Sequence, residues 1–259
     1  MSAINDALFG WYPYFALTVF LLGSLVRFDR EQYTWKSSSS QLLRKKQLRW
    51  GSNLFHVGIL TIFVGHFFGL LTPVWLLDAM HISHGFKQVL AMVVGGLAGI
   101  ACFIGISLLA HRRLFDPRVR ATSSFADTAI LLILWLQLTL GLSTIFVSAQ
   151  HLDGHEMVKF MYWAQGILTL QPSAAHFVAD VSPIFKAHLV LGMTIFLVFP
   201  FTRLVHVWSA PVWYLGRPGY QVVRSRRPHL KGSAGFRPGR FPAPAARPRS
   251  LDPIQQPAE

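Results

Sequence analysis

Four histidines lie within long apolar stretches of this chain. His56 and His66 lie in SNLFHVGILTIFVGHFFGLL, and His188 and His206 lie in PIFKAHLVLGMTIFLVFPFTRLVHVW. An ionisable side chain in lipid costs on the order of a few kcal/mol, so its presence there indicates a function. Two histidines on each of two segments predict two metal centres, each with one imidazole from each segment. In an apolar site between helices, two b-type haems with paired axial histidines are the natural cofactors, and they would carry electrons across a membrane.

The composition of the chain is that of a membrane protein. Of its 259 residues, 52% are hydrophobic and only 14% are charged, and the mean hydropathy is +0.41. A soluble globular domain carries about 25% charged residues. The chain has one cysteine, Cys102, so a disulfide framework, a cysteine-based zinc site and an iron–sulfur cluster are all excluded.

Segments of about 20 largely apolar residues predict membrane-spanning helices. The first segment lacks a basic region before it and a small-residue cleavage site after it, so we expect it to be retained. We therefore predict an all-α integral membrane protein with five transmembrane helices bundled around two b-type haems. The predicted spans cover residues 8–26, 52–71, 89–110, 128–148 and 184–208.

The charges between these segments alternate along the chain. The connections after the first, third and fifth spans are rich in arginine and lysine, whereas the other connections carry few cations. The positive-inside rule then predicts an N-terminus outside and a C-terminus in the cytoplasm. Most of the net charge of +13 is therefore explained by topology, and nucleic-acid binding is not expected.

Two further segments differ from the spans in composition. Residues 154–170, between the fourth and fifth spans, predict an amphipathic helix on the outer face of the membrane. Residues 228–259 are rich in proline and arginine and predict a disordered cytoplasmic tail. The expected domains are thus a membrane domain over 1–227 and a tail over 228–259.

The predicted topology orders the four histidines by depth. The two segments run in opposite directions, so His66 and His188 fall near the outer side, and His56 and His206 near the cytoplasm. Eighteen residues separate the pair on the fifth span, five whole turns and about 27 Å of helix, which places both on one face. The pair on the second span is separated by about 15 Å. Helix tilt would have to absorb the difference of about 12 Å.

Two cations near these histidines are candidate site residues. Arg203 lies one turn before His206, where it could pair with a haem propionate or simply extend toward the lipid headgroups. Lys87 lies at the outer entrance to the third span, where it could bind a quinol oxygen or anchor the helix at the interface. The two segments that carry the histidines also contain glycines, which could either make room for a haem macrocycle or allow close helix packing. These glycines are Gly58, Gly65, Gly69 and Gly192.

Over residues 10–227 the chain resembles the gamma subunit family of membrane-bound respiratory nitrate reductase, a di-haem cytochrome b family. The most specific stretches are SNLFHVGILTIFVGHFFGLLTP, RRLFDPRVRAT, SAQHLDGHEM and HLVLGMTIFLVFPFTRLVHVWSAPVWYL. The resemblance implies a distal haem bound by His66 and His188, and a proximal haem bound by His56 and His206. It also implies that Lys87 is the quinol-binding lysine.

The resemblance further implies an enzyme subunit in the bacterial inner membrane. Such a subunit oxidises a quinol, either menaquinol or ubiquinol, and releases protons to the periplasm. Electrons would pass through the two haems to an iron–sulfur beta subunit on the cytoplasmic face. Nitrate would be reduced on a molybdenum-containing alpha subunit of the same complex.

Two alternatives stay open at this point. The chain could be the di-haem anchor of another quinone-linked enzyme, such as a formate dehydrogenase, a hydrogenase or a sulfur-metabolising complex, although RRLFDPRVRAT and SAQHLDGHEM favour nitrate reductase. It could also be a proton-coupled transporter with a histidine relay. Five spans without an evident internal repeat argue against a transporter.

Overall fold

The computed structural model describes residues 3–35 and 43–209. These residues include all of the candidate site residues identified above. The expected tail over 228–259 lies outside the described residues.

Five long helices account for most of the described chain, and each is long and apolar enough to cross a membrane, the last one together with the 3₁₀ turn Phe199–Phe201 that follows it. The prediction of five spans is confirmed, and the helices extend beyond several of the predicted boundaries. Shorter helices connect the long ones, and a π-helical turn over Ala7–Trp11 interrupts the first. The helices are α1 (Ala3–Arg30), α2 (Lys45–Leu71), α3 (Val74–Ala79), α4 (His84–Phe115), α5 (Pro117–Ala121), α6 (Phe125–Ser148), α7 (His155–Leu168) and α8 (Pro183–Val198). Four 3₁₀ segments cover Gln32–Thr34, Ala174–Val178, Phe199–Phe201 and Arg203–Ser209.

Helices α2 and α4 are in backbone contact because glycines replace larger side chains between them. A Cβ atom on Gly58 would lie 2.6 Å from the carbonyl oxygen of Ala98 and 2.6 Å from the Cβ atom of Cys102. A Cβ atom on Gly105 would lie even closer to the backbone nitrogen of Phe55. For Gly58, close helix packing is therefore the role that the structure supports.

A short polar motif closes the turn between α4 and α5. Asp116 Oδ1 accepts hydrogen bonds from the amides of Arg118 at 2.9 Å and Val119 at 3.1 Å, which caps α5. Its other oxygen lies 2.6 Å from Arg44 Nε. The hydrogen bond from the Val119 amide is the main reason that the pKa of Asp116 lies below its usual range. The stretch RRLFDPRVRAT is thus explained by local structure.

Helix α7, the predicted amphipathic helix, covers one end of the bundle. Trp163 is buried and its Nε1 donates to the carbonyl oxygen of Phe9 in α1 at 2.9 Å. Gln165 Nε2 donates to the carbonyl oxygens of Leu70 at 3.0 Å and Thr72 at 3.1 Å, which lie at the C-terminal end of α2. Helix α7 therefore ties together the ends of α1 and α2.

The prediction of one uninterrupted helix over 184–208 is wrong. Helix α8 ends at Val198, and Thr202 is extended, with φ −119° and ψ 178°, between two 3₁₀ segments. Pro200 is the physical reason, because a proline has no backbone N–H and its ring clashes with the carbonyl four residues earlier. The count of five whole turns that placed His188 and His206 on one helix face is wrong for the same reason.

Helix α1 stabilises this break from the side. The Arg27 guanidinium donates to the carbonyl oxygens of Pro200 at 2.5 Å and Thr202 at 2.9 Å. Gly23 allows the close approach, because a Cβ atom there would lie 2.9 Å from Cγ of Pro200. The break that directly precedes the 3₁₀ segment of His206 is therefore held by a charged side chain of another helix.

Candidate functional site

Three of the four histidines have a ring orientation set by their own backbone. His56 and His66 each pair Nδ1 with the carbonyl oxygen four residues earlier on α2, at 2.7 and 2.9 Å. His206 pairs Nδ1 with the carbonyl oxygen of Arg203 at 2.5 Å. A carbonyl oxygen only accepts, so Nδ1 carries the proton and Nε2 keeps a lone pair. This is the tautomer of a metal ligand whose second nitrogen is fixed by a hydrogen bond.

His188 has different surroundings. Its Nδ1 is buried and has no hydrogen-bond partner among the described residues. Its ring lies against α6, where a Cβ atom on Gly141 would be 2.9 Å from Cε1 of the imidazole. Gln137, also on α6, donates from Nε2 to the carbonyl oxygen of His188 at 3.1 Å. Absence of a side chain at Gly141 therefore makes the space for this ring.

The structure brings His66 and His188 together across the bundle. Their ring centres are 6.3 Å apart and the ring planes are inclined by 44°. A metal–imidazole bond of about 2 Å, with about 1 Å more from nitrogen to ring centre, puts two rings on opposite sides of one metal about 6 Å apart. The observed separation fits one metal shared by these two imidazoles.

The other two histidines, His56 and His206, are placed differently. His56 and His206 make no ring contact with each other among the residues that the structure describes, although each presents Nε2. In residues 3–35 and 43–209, no three His, Cys, Asp or Glu side chains converge on one point. A haem iron takes only its axial ligands from the protein, so histidine pairs are the arrangement to expect. Ligation by His56 and His206 stays a prediction.

Lys87 lies close to the part of α2 that carries His66. Its Nζ donates to the carbonyl oxygen of Gly69 at 3.0 Å and to Sδ of Met161 at 3.5 Å. Gly69 follows His66 by three residues, about 4.5 Å along the helix. A Cβ atom on Gly69 would have no neighbour within 4 Å, so the α2 surface beside this ammonium is open.

Arg203 contacts α6. Its Nε lies 3.9 Å from Oδ1 of Asp127, and Arg113 Nη1 lies 3.6 Å from the other oxygen of that carboxylate. Two guanidinium groups share one carboxylate, so a net positive charge remains at the end of the bundle that holds His206. The role of Arg203 as a propionate partner stays a prediction.

Sequence reasoning missed three residues that contact His188 or the backbone before His206: Gln137, Gly141 and Arg27. Gln137 is the only amide side chain in α6, and Asp127 is that helix's only charged residue. A polar residue in the middle of an apolar span indicates a function by default, so this signal was available. The other two could be recognised only from tertiary contacts.

Five apolar helices and four histidines, three of them with the tautomer of a metal ligand, are typical of a class, the α-helical membrane cytochrome b subunits. A family model, "Nitrate reductase gamma subunit", matches residues 5–226. The chain therefore belongs to the nitrate reductase gamma subunit family.

Curated relatives agree with this assignment. The chain is 54% identical over 226 residues to the respiratory nitrate reductase 1 gamma chain of Escherichia coli, covering 87% of this chain and 100% of the relative. It is 53% identical to the respiratory nitrate reductase 2 gamma chain of that species, covering 86% and 98%. It is 38% identical to the nitrate reductase gamma chain of Bacillus subtilis, covering 86% and 99%. The resemblance is confirmed, and the protein is a nitrate reductase subunit that associates with other subunits.

Proposed function

We propose that this chain is the quinol-oxidising cytochrome b subunit and membrane anchor of a respiratory nitrate reductase in the bacterial inner membrane. The observation that carries the proposal is the outer pair, His66 and His188, with ring centres 6.3 Å apart. Three histidines with Nε2 left for a metal support the same reading. The positive-inside distribution of arginine and lysine supports an N-terminus in the periplasm.

The residues of this chain fit two b-type haems. His66 and His188 would hold the distal haem, and His56 and His206 the proximal one. When bound, the two haems supply one-electron transfer from menaquinol or ubiquinol toward an iron–sulfur beta subunit on the cytoplasmic face. The protein fixes the imidazole tautomers of His56, His66 and His206 through backbone carbonyl oxygens. Nitrate reduction takes place on a molybdenum-containing alpha subunit.

Lys87 would bind the quinol. An ammonium group has three N–H donors, and two of them point to Gly69 and Met161. The third has no partner among the described residues and can donate to a quinol oxygen. Because Lys87 lies near the outer end of the bundle, protons of a quinol bound there would be released to the periplasm. The positive charge would also favour loss of a proton from the quinol oxygen.

Quinol-driven nitrate reduction by the whole complex in membranes tests the proposal. Lys87→Ala should lower the quinol-driven rate at least tenfold and leave the haem absorption bands unchanged, because it removes the quinol donor only. Nitrate reduction with an artificial donor that delivers electrons directly to the other subunits should stay at the wild-type rate.

A matched control is His155→Ala, which removes an exposed histidine at the start of α7 and should leave both rates unchanged. An unchanged quinol-driven rate in Lys87→Ala would contradict the assignment of the quinol site. A wild-type complex that reduces nitrate with the artificial donor but oxidises no quinol would contradict the proposed function itself.

A further inference from the structure

Gln137 lies in the apolar helix α6, and the ligation scheme described so far gives it no role. Its carboxamide contacts His188 at two points: Nε2 donates to the His188 carbonyl oxygen at 3.1 Å and lies 3.5 Å from Nε2 of the imidazole. The contact is close because a Cβ atom on Gly192, one turn further along α8, would lie 3.3 Å from the same amide nitrogen. Two glycines thus shape this contact, Gly141 on the ring side and Gly192 on the amide side.

Two polar atoms at this contact are buried without a partner. Oε1 of Gln137 is an acceptor, and Nδ1 of His188 is the nitrogen that must carry the proton when Nε2 binds a metal. A buried polar group without a hydrogen bond is unfavourable, because it has lost its hydrogen bonds to water and gained none in the protein. The two atoms are chemically complementary and belong to side chains already in contact.

A simple movement pairs these atoms. In the structure, the ring edge that carries Nε2 faces the amide of Gln137. A half-turn about the Cβ–Cγ bond keeps the imidazole in the same volume, since the two orientations of a histidine ring have nearly the same shape. It exchanges the Cδ2–Nε2 edge of the ring for the Nδ1–Cε1 edge, so Nδ1 comes to the side of the amide and Nε2 takes the place of Cε1, where Gly141 has no side chain.

We propose that Gln137 is the positioning residue of His188, and that its carboxamide oxygen accepts the Nδ1–H of this ligand. The inference rests on the proposed function, because it assumes that His188 binds the distal haem. Gln137 then does for His188 what backbone carbonyl oxygens do for His56, His66 and His206. A hydrogen bond from the second ring nitrogen makes the imidazole more electron-rich and favours the oxidised metal. Gln137 therefore sets the reduction potential of the distal haem.

The test is a redox titration of both haems in the membrane-bound complex. Gln137→Leu removes the acceptor, so the potential of the distal haem should rise. An effect of about tenfold on the reduction equilibrium corresponds to about 59 mV for a one-electron couple. Gln137→Glu keeps an acceptor oxygen in either protonation state, so the distal potential should stay at the wild-type value or fall. The proximal haem should be unchanged in both variants.

Thr139→Val is the matched control on the same helix. Its hydroxyl donates to the carbonyl oxygen of Trp135 within α6 at 2.9 Å, and valine has nearly the same shape. Both haem potentials should stay at their wild-type values. His66→Ala and His56→Ala, each expected to retain one haem, identify which potential belongs to which haem.

The outcomes separate this inference from the proposed function. The inference is overturned if the potential of the distal haem does not rise in Gln137→Leu, or if it rises equally in Gln137→Glu. The proposed function is unaffected by either result as long as the wild-type complex contains two haems. If the leucine variant fails to assemble, Gln137→Met, which has a similar length and no carboxamide, takes its place with the same expected rise. A wild-type complex without haem would overturn the proposed function first.

Discussion

Gly141 provides a direct test of how the imidazole of His188 is placed. Alanine there would put a Cβ atom 2.9 Å from Cε1 of His188, whereas carbon atoms prefer separations of about 3.5–4.0 Å. The ring, or the whole of α8, must therefore move by up to about 1 Å. Overpacking of this kind costs about 1–3 kcal/mol. If this strain arises only when His188 is bound to the haem, the distal haem should bind about 5- to 150-fold more weakly.

The assay for Gly141→Ala is the haem content of the purified complex, with the two haems distinguished by their potentials. We expect selective loss or weakening of the distal haem and retention of the proximal one. Gly95→Ala is the matched control, because a Cβ atom at Gly95 would meet nothing within 4 Å. Its haem content should equal that of the wild type.

Full retention of the distal haem, with an unchanged potential, in Gly141→Ala would refute the reasoning. It would mean that the bound imidazole does not occupy the space beside Gly141. Equal loss of both haems would also count against it, since the expected effect is local to α6 and α8.

Three further predictions concern the frame around the site. Arg27→Leu should weaken binding of the proximal haem at least tenfold. A hydrogen bond to a charged group contributes about 1.5–3 kcal/mol, and two such bonds hold the break that precedes the 3₁₀ segment of His206. Haem content measures this effect. Gly58→Ala should lower the free energy of unfolding of the detergent-solubilised protein by about 1–3 kcal/mol, because the new Cβ atom would lie 2.6 Å from atoms of α4. In Asp116→Asn, the free energy of unfolding should change less between neutral and acid pH than it does in the wild type. The hydrogen bond from the Val119 amide is the main reason that the pKa of Asp116 is lowered in the folded state. The ionised carboxylate therefore stabilises the fold at pH values above the unfolded-state pKa, and this stabilisation is lost as the pH falls through the folded-state pKa. Unfolding curves between neutral and acid pH test this.

The sequence was sufficient to predict the number and approximate place of the long helices. Their apolar length is a local property, and it also singled out His56, His66, His188 and His206. The depth order predicted for the histidines rests on the alternation of charged connections, which is also a pattern of the sequence. These features needed no knowledge of which helices pack together.

The end of α8 could not be predicted in the same way. The apolar run continues through Pro200 to Trp208, and hydropathy does not distinguish a helix from a broken one. Pro200 was a visible warning, but the partner that stabilises the break, Arg27, lies on another helix. Gln137 was likewise visible as a polar residue, and only the packing of α6 on α8 showed that it contacts His188.

The number of b-type haems per chain is the most direct test of the central claim. A reduced-minus-oxidised absorption spectrum of the purified complex, with haem and protein quantified, should give two haems per chain for the wild type. His66→Ala should retain only the proximal haem and His56→Ala only the distal one. A wild-type spectrum without b-type bands, or a full complement of haem in either histidine variant, would contradict the account.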